Sequence, residues 1–321
     1  MHNRLPALLL AALTSLGVGA APAQAAYPDA PVSYVVPYPP GGTNDNVARI
    51  LGKRLAEKTG QPFIIEYKAG AGGTIGAAHV AHAKPDGHTL LNTSIGNLAI
   101  APQLLKASFD PFEDIAPVHY VGNALATVAV NPALPFRTLP ELIAYARANP
   151  GKLTYGSSGT GTPGHLAGEF LKREAGIDIR HIPYKGSAPA VADAVAGHVD
   201  MAFDPLSTPQ VQSGKLRALA FFGGDRAPNL PGVPHIRQAG LPNWEDALGG
   251  SFFVSVSSKA PADVQARLSA LLADILREPE TIAALESVQV SARPLPADDT
   301  RRIIRNVHDL AAQILDGKTK D

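Results

Sequence analysis

The chain of 321 residues contains no cysteine. That absence excludes disulfides, thiol nucleophiles and thiolate metal ligands. A chain of this size can bury enough apolar surface to fold without disulfides. It also lacks an excess of either charge. Lys and Arg total 28, and Asp and Glu total 28, so the balance gives no sign of nucleic acid as a partner. Internal repeats and low-complexity tracts are missing as well. What is present is a globular composition, with 45% hydrophobic and 17% charged residues. The length exceeds one typical core and predicts two domains or lobes.

One long apolar run stands at the N-terminus, and no second one follows. His2, Asn3 and Arg4 precede LPALLLAALTSLGVGAAPAQAA, where Ala23-Gln24-Ala25 fits an A-x-A cleavage site. The apolar part of this stretch, ahead of the small residues that end it, is shorter than the roughly 20 residues a membrane span needs. Residues 1–26 are therefore expected to be a cleavable signal peptide, with the mature chain starting near Ala26 or Tyr27. No cysteine follows the small residues, which excludes a lipid anchor. Loss of Arg4 leaves the mature chain with a net charge near −1.

Beyond that point the pattern alternates between strands and helices. Residues 33–38, 63–67 and 88–93 read as strands. Helical spacing of Val47, Ile50, Leu51 and Leu55 follows the first, and a small-residue helix through Ala77, Ala78, Val80 and Ala81 follows the second. The rhythm starts again with strands at 127–130, 153–156, 179–184, 199–203 and 216–222, and helices at 139–148, 163–174 and 189–196. A strand at 252–257 and helices at 261–277 and 300–315 complete the chain. This is an α/β pattern in two lobes, each a mixed, mostly parallel sheet flanked by helices, with a ligand cleft between them. In such sheets ligands bind beyond the carboxyl ends of strands.

Four strand-to-helix junctions fit that location. The first lies in residues 37–55, PYPPGGTNDNVARILGKRL, where Pro40, Gly41 and Gly42 lead into Thr43 and Asn44, either of which is expected to cap the helix. It resembles an anion-binding loop, yet no lysine stands where a phosphate loop needs one. The second is Gly70-Ala71-Gly72-Gly73-Thr74. The third runs from Ser157 and Ser158 through Gly161 to Thr162 and Pro163, with Thr162 as N-cap and Pro163 at the first helical position. The fourth is Tyr184-Lys185-Gly186-Ser187, with Ser187 as cap. Each helix start offers unpaired N–H groups and a partial positive charge, worth about 0.3–1 kcal/mol to an anion and up to about 2 when partly buried. Two such starts on opposite lobes can hold a carboxylate without an arginine.

Other chemistries compete with this reading. GAGGTIG is close to a dinucleotide fingerprint, but Ile75 replaces the third glycine and Leu91-Asn92-Thr93 offers no acid for a ribose. Ser157 or Ser158 with His165 suggests an exported α/β hydrolase, although GSSGT is not G-x-S-x-G. His79 and His82 sit three apart on one helix, but no third ligand at a set spacing accompanies them, so no metal is expected. His165 is placed to donate from its ring to an anion at the helix start. Asp45 reads as a helix-dipole residue, Asp200 as structural, and Asp204 as an acid facing the ligand end of its strand.

Four ordered stretches then coincide with one family. YPPGGTNDNVAR, GAGGTIGAAHVAHAKPDGHTLL, YGSSGTGTPGHLAGEFLK and HIPYKGSAPAVADAVAGHVDMAFD resemble the Bug family, the extracytoplasmic solute receptors of tripartite tricarboxylate transporters. The resemblance spans nearly the whole mature chain. It implies a two-lobed periplasmic-binding-protein fold of type II, with residues 27–123 and 253–321 in lobe 1 and residues 124–252 in lobe 2. It also implies a periplasmic protein without catalysis or cofactor, acting as a monomer that takes a small organic carboxylate and delivers it to membrane permease subunits. A receptor for signalling rather than import fits the same residues. The implied ligand-binding residues are Tyr38, Pro40, Gly41, Gly42, Thr43, Asn44 and Asp45, the polar loop of Asn92, Ser94 and Asn97, and Ser157, Gly161, Thr162, Pro163, His165, Tyr184, Gly186, Ser187 and Asp204. Many members carry serine or threonine in place of Asn44 and an apolar residue in place of Asn46. These two asparagines are expected to bear on selectivity and leave the Gly-Gly turn intact.

Overall fold

The computed structural model describes residues 27–315, so the expected signal peptide lies outside the described residues. Eleven strands form two sheets. The first holds β1 (Val32–Val36), β2 (Phe63–Tyr67), β3 (Thr89–Ser94), β4 (Ile115–Ala124), β10 (Ser251–Ser257) and β11 (Val290–Leu295), in the order β11-β4-β10-β3-β1-β2. The second holds β5 (Ala126–Val130), β6 (Thr154–Ser157), β7 (Arg180–Pro183), β8 (Met201–Asp204) and β9 (Arg217–Phe222), in the order β7-β6-β8-β5-β9. The apolar runs VSYVV and SFFVSVS are central strands and are almost wholly buried, as strands covered on both faces must be.

Both sheets are mixed, but neither is mostly parallel. In the first, β1 runs parallel to β2 and β3, while β10 is antiparallel to β3 and β4, and β11 to β4. In the second, β6 is parallel to β7 and β8, and β5 is antiparallel to β8 and β9. The reversals come from the strands that carry the chain between lobes. β4 leads directly into β5 across Leu125, and the chain returns after β9 to enter β10. Glycines make this crossing possible. A Cβ on Gly223 would stand 2.1 Å from the Ala124 carbonyl oxygen, and one on Gly249 would stand 2.5 Å from Gly223 Cα.

The helices cover both sheets. They are α1 (Thr43–Thr59), α2 (Thr74–Ala81), α3 (Ala101–Leu104), α4 (Leu139–Ala148), α5 (Pro163–Ala175), α6 (Ser187–Ala196), α7 (Ser207–Gln212), α8 (Ala262–Ile275), α9 (Pro279–Ser287) and α10 (Ala297–Leu315). One apolar cluster under the first sheet joins Val47, Leu51 and Leu55 of α1 to Phe252, Val254 and Leu272. A second, larger cluster runs through both lobes, from Leu98 and Ile100 past Ile304 and Val307 of α10 to Phe170, Phe203 and Trp244. Polar contacts follow the same path. Gln103 Nε2 donates to the His308 carbonyl (2.9 Å), and Arg173 Nη1 donates to the Gln313 carbonyl (3.1 Å). Helix α10 thus lies across both lobes on one flank of the cleft.

Candidate functional site

On the first lobe the chain leaves β1, turns through residues 37–42 and enters α1. Gly41 has φ +86°, a conformation that favours glycine, and its N–H donates to Asp45 Oδ2 (2.8 Å). The other oxygen of Asp45 accepts from Arg49 Nε (2.9 Å) and Tyr67 Oη (2.8 Å). Asp45 is buried and ties the loop to its own helix. The cap is Gly42, without a side-chain hydrogen bond, and Thr43 and Asn44 are the first helical residues. This corrects the expectation that either of them caps α1. Their side chains are left for another purpose, since Thr43 Oγ1 and Asn44 Oδ1 are buried and have no partner.

The second lobe repeats this arrangement twice. Thr162 is the N-cap residue of α5, yet its hydroxyl turns away to donate to the Gly159 carbonyl (2.6 Å), and the helix has no side-chain cap. Gly186, with φ +118°, caps α6 without a side chain. Ser187 is the first helical residue and not the cap, and its hydroxyl bonds Asp204. Three helices of 17, 13 and 10 residues therefore begin with backbone N–H groups that no cap side chain occupies.

These three starts line one cavity of ≈ 60 Å³ between the lobes. Gly42, Thr43 and Asn44 come from α1, Thr162, Pro163 and Gly164 from α5, and Gly186 and Ser187 from α6. Tyr38, Ser94 and Asp204 complete the polar lining among the expected residues. Among the described residues no lysine or arginine lines it, and Asp204 is its one acid. Asp204 Oδ1 accepts from Leu206 N (2.9 Å). Burial pushes its carboxyl up to about 6, against the opposing pull of the Ser187 hydroxyl and the Leu206 N–H. Such a cavity can take an anion on N–H groups while offering no charge to clamp it.

Several expected residues support the cavity from behind. Asn92 is fully buried, accepts from Tyr34 Oη (2.8 Å) and braces Asn44. Asn97 is fully buried with both amide atoms unpartnered, in a single π-helical turn at Gly96–Ile100. Ser157 Oγ is hydrogen-bonded with His181 Nε2 (2.7 Å) and donates to the Gly159 carbonyl (3.1 Å), away from the lining. His165 is not among the residues that line the cavity. Its Nδ1 accepts the Gly161 N–H (3.3 Å), and its ring stacks on His181 at 4.2 Å. Pro40, Gly41 and Gly161 shape the loops outside the lining, and Tyr184 lines a neighbouring groove. Asn46, unlike Asn44, does not reach the cavity. Asp200 holds Thr154 through its N–H (2.7 Å) and hydroxyl (2.8 Å), a structural role. Among the described residues no group of three or more His, Cys, Asp or Glu could hold a metal ion.

The lining also includes Ser158, which the sequence offered only as part of a junction or as a nucleophile, and residues the sequence reading missed: Pro39, Ala124, Gly164, Phe203, Pro205, Gly249, Gly250 and Phe252. The Gly249-Gly250 pair before a strand is a signal of close backbone approach. Ala124 and Phe252 belong to strands whose role in the cleft shows only once the crossover is built.

The profile of the tripartite tricarboxylate transporter family receptor matches residues 47–318. A UPF0065 protein in the tcbD-tcbE intergenic region of Pseudomonas sp. (strain P51) is 38% identical over 269 residues, 83% of this chain and 79% of that protein. Protein BugT of Bordetella pertussis is 36% identical over 246 residues, 75% of this chain and 76% of its own. Among solved structures, an R. palustris protein with adipate superposes at TM-score 0.84 with 31% identity, covering 90% of this chain and 97% of that one. The periplasmic binding protein BugD gives 0.82 and 30%, covering 91% and 98%. MatC from Rhodopseudomonas palustris with bound malate gives 0.80 and 27%, covering 90% and 100%.

Proposed function

Because the chain belongs to the tripartite tricarboxylate transporter family of receptors, we propose that it captures a small organic carboxylate between its lobes and delivers it to a membrane permease. The family's members are periplasmic solute-binding receptors and not enzymes. The observation that carries the reading is the meeting of three uncapped helix starts on one cavity, with Thr43 Oγ1 and Asn44 Oδ1 buried and unpartnered beside them. Each start favours an anion by roughly 0.3–1 kcal/mol, more when partly buried. The binding of adipate by one structural neighbour and malate by another supports a carboxylate as the ligand here.

In this reading residues 1–26 are removed on export and the mature chain works as a monomer. Residues 27–123 with 253–321 form one lobe, and residues 124–252 form the other. The ligand contacts come from Tyr38, Gly42, Thr43, Asn44, Ser94, Thr162, Pro163, Gly186, Ser187 and Asp204, all of which line the cavity. Closure on the ligand joins contacts from both lobes, and the closed form is what the permease subunits recognise. The test is calorimetry of refolded, ligand-free protein against a panel of mono-, di- and tricarboxylates. At least one is expected to bind in a one-to-one ratio. Silence across the panel overturns the proposal.

A further inference from the structure

Two voids meet at the mouth of the cleft. The inner cavity holds ≈ 60 Å³, and one water needs about 10–15 Å³ on that measure, so there is room for roughly half a dozen non-hydrogen atoms. The outer groove holds ≈ 560 Å³. The two share Tyr38, Pro39, Ser158 and Gly186 in their walls, so they are continuous. The outer walls come from both lobes, from the glycine-rich loop at residues 69–73 on one side and from Gly159, Thr160 and Lys185 on the other.

Charge divides the voids as sharply as size. The inner lining has Asp204 and no cation. A second carboxylate confined there would be buried beside an acid with no counter-charge, which strongly disfavours it. Among the described residues Lys185 is the one cationic side chain lining either void. It is exposed, and among the described residues no hydrogen bond or ion pair engages its ammonium. The acid on the adjoining helix, Asp193, is engaged by the Tyr184 hydroxyl (2.6 Å) and by His198.

We propose that the outer groove is a second subsite for the far end of an elongated ligand, where Lys185 pairs with a second carboxylate. The inference rests on the reading of the inner cavity as a carboxylate site. It assigns the ligand to the longer dicarboxylates, one end held on helix starts and the other on a side-chain cation. A lysine at this rim leaves a short monocarboxylate untouched.

The experiment compares succinate, adipate and suberate with butyrate, hexanoate and octanoate by calorimetry, on the wild-type protein and on Lys185→Gln. The wild type is expected to prefer adipate and suberate to the monocarboxylates of equal length. Lys185→Gln is expected to cut that preference by roughly threefold to tenfold and to leave butyrate binding and the melting temperature unchanged. The proposal is overturned if the preference survives in Lys185→Gln, or if the long dicarboxylates bind no better than their partners. Those outcomes leave the receptor reading standing. Failure of every compound to bind removes the receptor reading and this subsite together.

Discussion

Asn44 and Asn92 hold each other by a reciprocal pair of hydrogen bonds. Asn44 Nδ2 donates to the Asn92 carbonyl (3.1 Å), and Asn92 Nδ2 donates to the Asn44 carbonyl (2.7 Å). The pair fastens the start of α1 to the end of β3. It also fixes the Asn44 amide, whose nitrogen is used and whose buried oxygen is left without a partner in a residue that lines the cavity. An orphaned acceptor at that point calls for a donor on the ligand or a bound water.

Asn92→Ala is expected to cost about 2 kcal/mol of stability, since it leaves the Tyr34 hydroxyl without its acceptor in the core and removes a second bond to the Asn44 carbonyl. Urea unfolding measures this. Calorimetry on the folded protein is expected to show ligand affinity within about threefold of the wild type, because the Asn44 amide still donates to the backbone carbonyl of residue 92. A large loss of affinity would show that the Asn92 side chain itself holds the helix start in place.

The pH dependence follows from Asp204. Its folded pKa is about 6, raised from 3.8 by burial. A raised acid favours the protonated folded state. Its contribution to stability is therefore complete below about pH 4 and lost as pH rises through about 6. The rise is worth about 3 kcal/mol. Asp204→Asn is expected to be more stable than the wild type at neutral pH, with the gap closing below pH 4. Ligand affinity is expected to rise as pH falls from about 7.5 to about 5.5, when Asp204 loses its charge, and Asp204→Asn is expected to flatten that rise. Parallel melts and titrations of the two proteins check both points.

The lobes meet through glycines. A Cβ on Gly96 would lie 3.0 Å from Pro163 Cδ and 3.1 Å from the Gly161 carbonyl oxygen, across the cleft. The backbone of Gly96 does not require glycine, so Gly96→Ala acts as a wedge and not as a strained turn. Overpacking of this kind costs about 1–2 kcal/mol, paid only in the closed form, so affinity is expected to fall roughly tenfold. Small-angle scattering with saturating ligand is expected to show a more open molecule than the wild type. An unaltered scattering profile and affinity would place closure elsewhere.

The sequence was legible where a strand or helix follows its own period. Residues 63–67 and 139–148 are found as expected, and the four glycine loops fall at strand-to-helix junctions. Strand β4 escaped because Pro117, His119 and Gly122 interrupt its apolar pattern, although it is central in the first sheet. The edge strand β11 escaped because Arg293 and Pro294 sit at its register shift. The caps were misassigned for a different reason. Thr43, Asn44 and Ser187 are good cap residues by propensity, but Gly42 and Gly186 take the two cap positions and leave all three inside their helices. His165 lies behind the lining and not in it, and its stack on His181 is visible only in three dimensions, because the two residues are 16 apart in the chain.

Gly42 separates folding from binding most cleanly. Its φ is −86°, which any residue adopts, and a Cβ there would meet nothing closer than the Pro39 carbonyl oxygen at 4.0 Å. Gly42→Ala is therefore expected to leave stability within about 0.5 kcal/mol of the wild type. The same residue lines the cavity at the start of α1, so the added methyl takes space beside the N–H groups that would hold the anion. The inner cavity has little space to yield, and affinity is expected to fall at least fivefold, by about 1 kcal/mol or more. A variant that melts with the wild type but binds its carboxylate poorly places the site at this helix start. A variant that binds as the wild type does moves the site away from it.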